Sequence, residues 1–183
     1  MVIRALWLNG TVGAGKTTVG AVIAELLADR GEAVAFIDTD ALGAAWPRSP
    51  DDPFNTRLVA DNLAAVVANF AAAGVRSLVV AGVVQDRSDL ERYQRAIGAP
   101  VTLVRLVVPG PEVEERLRRR HGEIDPGGLR WHVDRAPTLA ALLDEAALPM
   151  LDVTNTDVPD QTARAVLTAA GWHRPTTVDS SPG

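Results

Sequence analysis

The chain has 183 residues, 47% hydrophobic and 22% charged, with a formal net charge of −5 and no cysteine. That length predicts one domain burying about 70% of the surface its unfolded chain would expose, while the acidic balance argues against a nucleic-acid binder and the missing thiols exclude disulfides, thiolate zinc sites and cysteine nucleophiles. No apolar run approaches the roughly 20 residues of a membrane span, and no signal-peptide-like segment precedes Gly10, so the expected protein is soluble, cytoplasmic and free of membrane contacts.

Residues 3–8 form a short, mostly apolar run that reads as a buried strand. Next comes Gly10-Thr11-Val12-Gly13-Ala14-Gly15-Lys16-Thr17, which fits G-x-x-x-x-G-K-[ST], the phosphate-binding loop. Small residues let successive backbone N–H groups turn inward on a phosphate chain. Val19, Val22/Ile23 and Leu26/Leu27 then repeat at helical spacing, so the loop lies where the positive end of a helix meets an anion. The expected nucleotide contacts are Gly10, Val12, Gly13, Ala14, Gly15, Lys16, Thr17 and Thr18. Lys16 serves the β- and γ-phosphates, and the Thr17 hydroxyl takes a place on Mg²⁺. The chain is expected to bind a nucleoside triphosphate.

Asp29-Arg30-Gly31 stops the first helix. Residues 33–37 read as a second buried strand ending in Asp38-Thr39-Asp40, and the Pro-rich stretch 46–53 is too broken for a regular element. A helical pattern runs from Arg57 to about Ala73 and closes at Gly74. Residues 77–84 are the third strand, and Ser88-Asp89-Leu90-Glu91 reads as a capping box opening a helix that ends near Gly98. Residues 102–108 are the fourth strand, followed by a charged helix over 112–120 and a Gly/Pro-rich segment over 121–128. Helical sequence resumes over 129–147 with an interruption at Pro137. Residues 149–153 are the fifth strand, and a last helix over 158–170 stops at Gly171, leaving a polar tail from His173. Near-continuous apolar strands alternating with helices imply a parallel sheet covered on both faces, with ligands outside the carboxyl ends of the strands.

That rule directs attention to the residues following each strand. Asp38 and Asp40, two apart on an extended chain, would point to one face. Asp38 is then expected to hold Mg²⁺ through water and Asp40 to take the proton of an attacking hydroxyl; the alternative for either is to cap the following turn. In the charged helix Glu112 faces Arg116, Glu114 faces Arg118 and Glu115 faces Arg119, whereas Arg120 has the like charge of Arg116 one turn back. These arginines read as a lid closing on ATP, one packing on the adenine and one reaching the transferred phosphate, against the alternative of a solvated charged face. Candidates for an acceptor pocket are Asn55, Arg57, Gln85, Asp86, Arg87 and Arg135. His121, His132 and His173 show no metal-ligand spacing, and of Trp7, Trp46, Trp131 and Trp172 only Trp46 is placed to line an acceptor site.

With these residues in view, the chain resembles the small P-loop kinases of metabolites, the shikimate kinase, gluconate kinase and adenylylsulfate kinase group, as far as about Gly171. The likeness is carried by residues 10–17 and by Phe36-Ile37-Asp38-Thr39-Asp40, which is similar to the shikimate kinase Asp-x-Asp strand end. It implies metal binding by Asp38 and acceptor contact by Asp40, with Arg116 and Arg120 as adenine-stacking and lid arginines. Arg135-Ala136-Pro137 is similar to the segment supplying a substrate-carboxylate arginine. Thr154, ending Leu151-Asp152-Val153-Thr154, is implied near the adenine, and Asn55-Thr56-Arg57 is similar to the start of an acceptor-side helix. The resemblance implies a P-loop NTPase three-layer sandwich, its five-stranded parallel sheet ordered 2-3-1-4-5, with a kinase domain over 1–172, a lid at about 117–130 and a tail over 173–183.

The chain departs from that group after the third strand, where Ala81-Gly82-Val83-Val84 replaces a triple glycine and no Walker-B aspartate appears. The expected activity is ATP- and Mg²⁺-dependent transfer of the γ-phosphoryl group to a small metabolite, with Lys16, Asp40 and Arg120 catalytic and Asp40, Arg57, Gln85 and Arg135 on the acceptor. A nucleoside, a nucleotide or an antibiotic is the alternative acceptor, and a monomer or homodimer is expected. Asp40-Ala41-Leu42-Gly43 also matches D-x-x-G, but no N-K-x-D motif accompanies it, which disfavours a regulatory GTPase.

Overall fold

Five apolar runs pair side by side as parallel strands: β1 (Arg4–Asn9), β2 (Val34–Asp38), β3 (Ser77–Ala81), β4 (Val101–Val107) and β5 (Met150–Thr154). Their order is β2-β3-β1-β4-β5, the order expected. The computed structural model describes residues 3–121 and 126–172, and the side chains at 110, 120, 121, 126–128 and 131 lie outside that description. The expected tail over 173–183 and the middle of the expected lid, 122–125, fall outside it as well.

The pleat of β1 explains why two layers of helices are needed. Ala5 and Trp7 face a core shared with Leu63, Leu78, Val80 and Tyr93, where Trp7 stacks on Tyr93 at 4.7 Å between centroids. Leu6 and Leu8 face the opposite core with Ile23, Leu27, Val79 and Val166. The first core is covered by α3 (Thr56–Ala72) and α4 (Arg87–Ile97), the second by α1 (Lys16–Ala28) and α7 (Pro159–Ala169). A third cluster, Val113, Leu117 and Ala136, joins α5 (Gly110–His121) to α6 (Pro126–Glu145).

Several expected boundaries move for identifiable reasons. β3 stops at Ala81 rather than 84, because the buried Asn9 side chain takes over the backbone of Val84, accepting from its N–H at 3.1 Å and donating to its carbonyl at 3.0 Å. α4 opens two residues early: Asp86, not Ser88, is its N-cap and accepts the Asp89 N–H at 2.9 Å. A short α2 (Thr39–Leu42) follows β2 directly. α5 begins at Gly110, ahead of its first glutamate. α6 continues through Pro137; a proline there removes one intrahelical bond, but Ala136, Leu139 and Leu143 of the same helix are buried, and that packing holds the line.

Candidate active site

The carboxyl ends of the strands open on a cavity of about 530 Å³. On one wall is the loop between β1 and α1. Gly10 has φ +138°, and a side chain there would meet the Leu106 carbonyl at 2.8 Å; Gly15 has φ +85°, and a Cβ would lie 2.5 Å from the Asn155 amide nitrogen. Both positions require glycine on two counts, conformation and space. Gly15 is also the N-cap of α1 and makes no side-chain cap, so the N–H groups of the first turn remain for an anion. Val12, Gly13, Gly15, Lys16, Thr17 and Thr18 line the cavity, whereas Gly10 and Ala14 are buried beneath it. The Lys16 ammonium lies back across the loop, donating to the carbonyls of Gly10 at 3.0 Å and Thr11 at 2.9 Å.

The two aspartates are not arranged as an extended chain would place them. β2 ends at Asp38, and the turn into α2 separates their side chains. Asp38 caps α2, accepting the Asp40 N–H at 3.0 Å, and also accepts from the Thr17 hydroxyl at 2.8 Å. Asp40, one helical step on, is exposed on the cavity wall. The turn-capping and metal-side readings of Asp38 are thus compatible, since one oxygen serves each. Among the described residues no group of three acids or histidines is arranged to hold a metal ion.

On the α5 side, Arg116 lines the cavity. Its guanidinium donates to the Asn155 carbonyl at 3.0 Å and pairs with Asp157 at 3.0 Å and, more loosely, with Glu112 at 3.8 Å. Its Nε is buried with no partner. Glu114 pairs with Arg118 at 2.5 Å as the helical spacing predicts, and Arg119 reaches Asp157 at 3.8 Å. Arg120 stands on α5 with its side chain outside the described residues.

Thr154 ends β5 exposed and outside the cavity lining, and the next residues, Asn155, Thr156 and Asp157, line the cavity. Asn155 is buried and joins three elements. It donates to the Ala14 carbonyl at 2.6 Å, accepts from the Thr162 hydroxyl of α7 at 2.8 Å, and its backbone N–H donates to Val107 at 2.9 Å. Asn155→Ala leaves the Ala14 carbonyl and the Thr162 hydroxyl without these partners, at about 1–3 kcal/mol for each buried group. Urea unfolding is expected to show a loss of about 2–4 kcal/mol at unchanged m-value, together with weaker ATP binding by calorimetry.

The residues expected at an acceptor are divided. Gln85 and Arg135 line the cavity, with the Arg135 guanidinium 4.6 Å over the Phe54 ring. Arg57 does not: it pairs with Asp52 at 3.5 Å in a neighbouring groove. Burial alone would raise the Asp52 carboxyl, but the N–H groups of Arg57 and Thr56 and the Arg57 guanidinium hold it below its ordinary range. Asn55 is buried and donates to Gly43 at 2.9 Å and Ala45 at 3.1 Å, a structural role. Asp86 caps a helix, and Arg87 is exposed outside the cavity lining. Trp46 is 74% exposed and outside the lining too, while Trp7 and Trp172 are core and Trp131 lies outside the described side chains. Among the histidines, His132 lines the cavity; His121 and His173 fall outside the described side chains.

Sequence reasoning missed Arg48, Phe54, Asp89, Tyr93, Asn155 and Asp157, all of which line the cavity, as does Thr56 of the Asn55-Thr56-Arg57 segment. Asp89 was hidden inside an apparent capping box, and Tyr93 in a helical core pattern. Asn155 and Asp157 were one and three residues past Thr154, the position chosen.

No protein-family model matches the chain, and no curated protein matches it. Solved structures do. A gluconokinase from Sinorhizobium meliloti 1021 superposes with TM-score 0.62 at 22% identity over 92% of each chain. The Deinococcus radiodurans tunicamycin resistance protein gives 0.58 at 21% identity over 92% of this chain and 96% of its own. A shikimate kinase from Acinetobacter baumannii, in complex with shikimate, gives 0.53 at 22% over 91% and 92%. At such identities the likeness is one of fold: the chain has the fold of the small-molecule P-loop kinases.

Proposed function

We propose that the chain transfers the γ-phosphoryl group of ATP to a hydroxyl of a small metabolite. The observation carrying this reading is that Lys16 and Thr17 of the phosphate loop and the carboxylate of Asp40 face one cavity of about 530 Å³, a size suited to small ligands. The Thr17 hydroxyl and Asp38 carboxylate, already in contact at 2.8 Å, are the hard oxygen donors Mg²⁺ prefers. Two protein groups suffice for an ion that fills its other positions with water and phosphate, and when bound it neutralises charge on the β- and γ-phosphates.

The chain's own residues supply the rest. The N–H groups opening α1 hold the phosphate chain, and the Lys16 ammonium exchanges its loop carbonyls for phosphate oxygens. Asp40 orients the acceptor hydroxyl and takes its proton as the oxygen bonds to the γ-phosphorus and the bond to the β-phosphate oxygen breaks, releasing ADP. Arg116 packs at the base end, and Arg120 is assigned to the transferred phosphate. Gln85 and Arg135 position the acceptor.

A metabolite library screened for ADP release with ATP and Mg²⁺ tests the proposal: release is expected only with an acceptor present. Brisk hydrolysis without any acceptor counts against it. Nucleosides, nucleotides and antibiotics belong in the library, the last because the fold is shared with a tunicamycin resistance protein. The lack of a described helix long and apolar enough to cross a membrane is compatible with the cytoplasm, the compartment proposed.

A further inference from the structure

The acceptor end of the cavity contains a second carboxylate, Asp89, that the phosphoryl-transfer chemistry leaves unused. It stands in the first turn of α4, partly buried, and lines the cavity together with the apolar Phe54, Val59, Val83 and Leu139 and the polar Thr56, Gln85 and Tyr93. One oxygen accepts the Gln85 N–H at a long 3.4 Å. Among the described residues Asp89 has no ion-pair partner. Burial first, and then the neighbouring Asp86, push its carboxyl above the ordinary range, with only the Gln85 N–H and the more distant Arg92 pulling the other way. Of the arginines lining the cavity here, Arg135 lies over Phe54 and Arg48 donates to the Pro53 carbonyl at 3.3 Å, while Arg57 and Arg92 share a neighbouring groove with Asp89 without forming an ion pair with it among the described residues.

We propose that Asp89 is a specificity-determining residue of this site, and that the acceptor carries, besides the hydroxyl to be phosphorylated, an ammonium group that Asp89 receives and an apolar body that lies against Phe54 and Val59. The proposal rests on the phosphotransferase reading. A partly buried carboxylate without an ion-pair partner is unfavourable, and a ligand ammonium supplies both the opposite charge and the hydrogen bonds. Hydroxy acids and phosphorylated acceptors would bring a like charge to the same place and be rejected.

The other role open to Asp89 is structural, holding the Gln85 N–H just ahead of the Asp86 N-cap. Asp89→Asn separates the two, because an amide oxygen still accepts the Gln85 N–H while the charge is gone. The probes are primary amino alcohols such as phenylglycinol and 2-amino-1-butanol, each run beside its N-acetyl derivative and its hydroxy-acid counterpart (tropic acid for phenylglycinol). The readout is ADP release with ATP and Mg²⁺, and calorimetry reports ATP binding separately.

The amino alcohols are expected to be preferred. In Asp89→Asn their KM rises about tenfold to a hundredfold, with the KM for ATP and the melting temperature unchanged, and Asp89→Glu retains the preference. Faster turnover of the hydroxy acids overturns the proposal. So does an amine preference that survives in Asp89→Asn, or a lack of acceleration by any amino alcohol while ATP still binds. Failure of the wild-type chain to bind ATP removes the phosphotransferase reading itself, a different result.

Discussion

Lys16→Met is expected to lower kcat/KM for phosphoryl transfer by about 10³-fold, near 4 kcal/mol of transition-state stabilisation. The magnitude follows from where charge develops. Negative charge spreads over the γ-phosphoryl oxygens as the bond to ADP breaks, and Lys16 is the cation of the loop that cradles them. In the structure its ammonium is held by the Gly10 and Thr11 carbonyls at 3.0 and 2.9 Å, contacts that it exchanges for phosphate oxygens when the nucleotide arrives. Methionine retains the apolar stem but none of the donors. The affinity for ATP, measured by calorimetry, should fall by about tenfold or more, since hydrogen bonds to charged groups contribute about 1.5–3 kcal/mol. Denaturant unfolding distinguishes a catalytic from a merely structural lysine. A variant that unfolds far more easily but keeps its turnover would make Lys16 a staple of the loop and nothing else.

Legibility in the sequence depended on how local the signal was. The phosphate loop was readable because its conformation is dictated by its own glycines: Gly10 and Gly15 both adopt positive φ, and the strand before and helix after follow from apolar spacing. Strand order came from the resemblance and not from periodicity, which cannot say that β3 inserts between β2 and β1. Where the reading failed, a distant side chain had taken over local backbone. Asn9 captures Val84 across 75 residues and ends β3 early. Asp86 accepts the Asp89 N–H at 2.9 Å, so the helix begins before the Ser88 box that spacing favours. Asn155, one residue past a strand end, bonds Ala14 across 141 positions, and nothing near it in sequence announces that. The side expected to hold the acceptor suffered most, because Phe54, Asp89, Tyr93 and Arg135 come from two separate helices and a loop and meet only in the folded chain.

Asp40→Asn tests the chemistry most directly, because the substitution changes the proton affinity of one group and almost nothing else. The expected result is a fall in kcat of about 10²–10⁴-fold, the usual contribution of a positioned base, with ATP affinity unchanged within about twofold and no measurable change in stability. Stability is preserved for a stated reason: Asp40 contributes its backbone N–H, not its side chain, to the start of α2, donating at 3.0 Å to Asp38. Nucleotide affinity is preserved because the Thr17–Asp38 contact at 2.8 Å involves neither Asp40 oxygen. Asp38→Asn should behave differently. It weakens an acceptor used by both the Thr17 hydroxyl and the helix cap, so it raises the Mg²⁺ concentration needed for half-maximal rate and lowers the melting temperature by a few degrees, a cap contributing about 1 kcal/mol. The pair of variants therefore divides one Asp-x-Asp segment into a base and a metal-side cap. Equal losses of nucleotide binding in both would mean that the turn into α2 does not separate their roles, and an Asp40→Asn enzyme with undiminished kcat would leave the acceptor hydroxyl to lose its proton without help from that side chain.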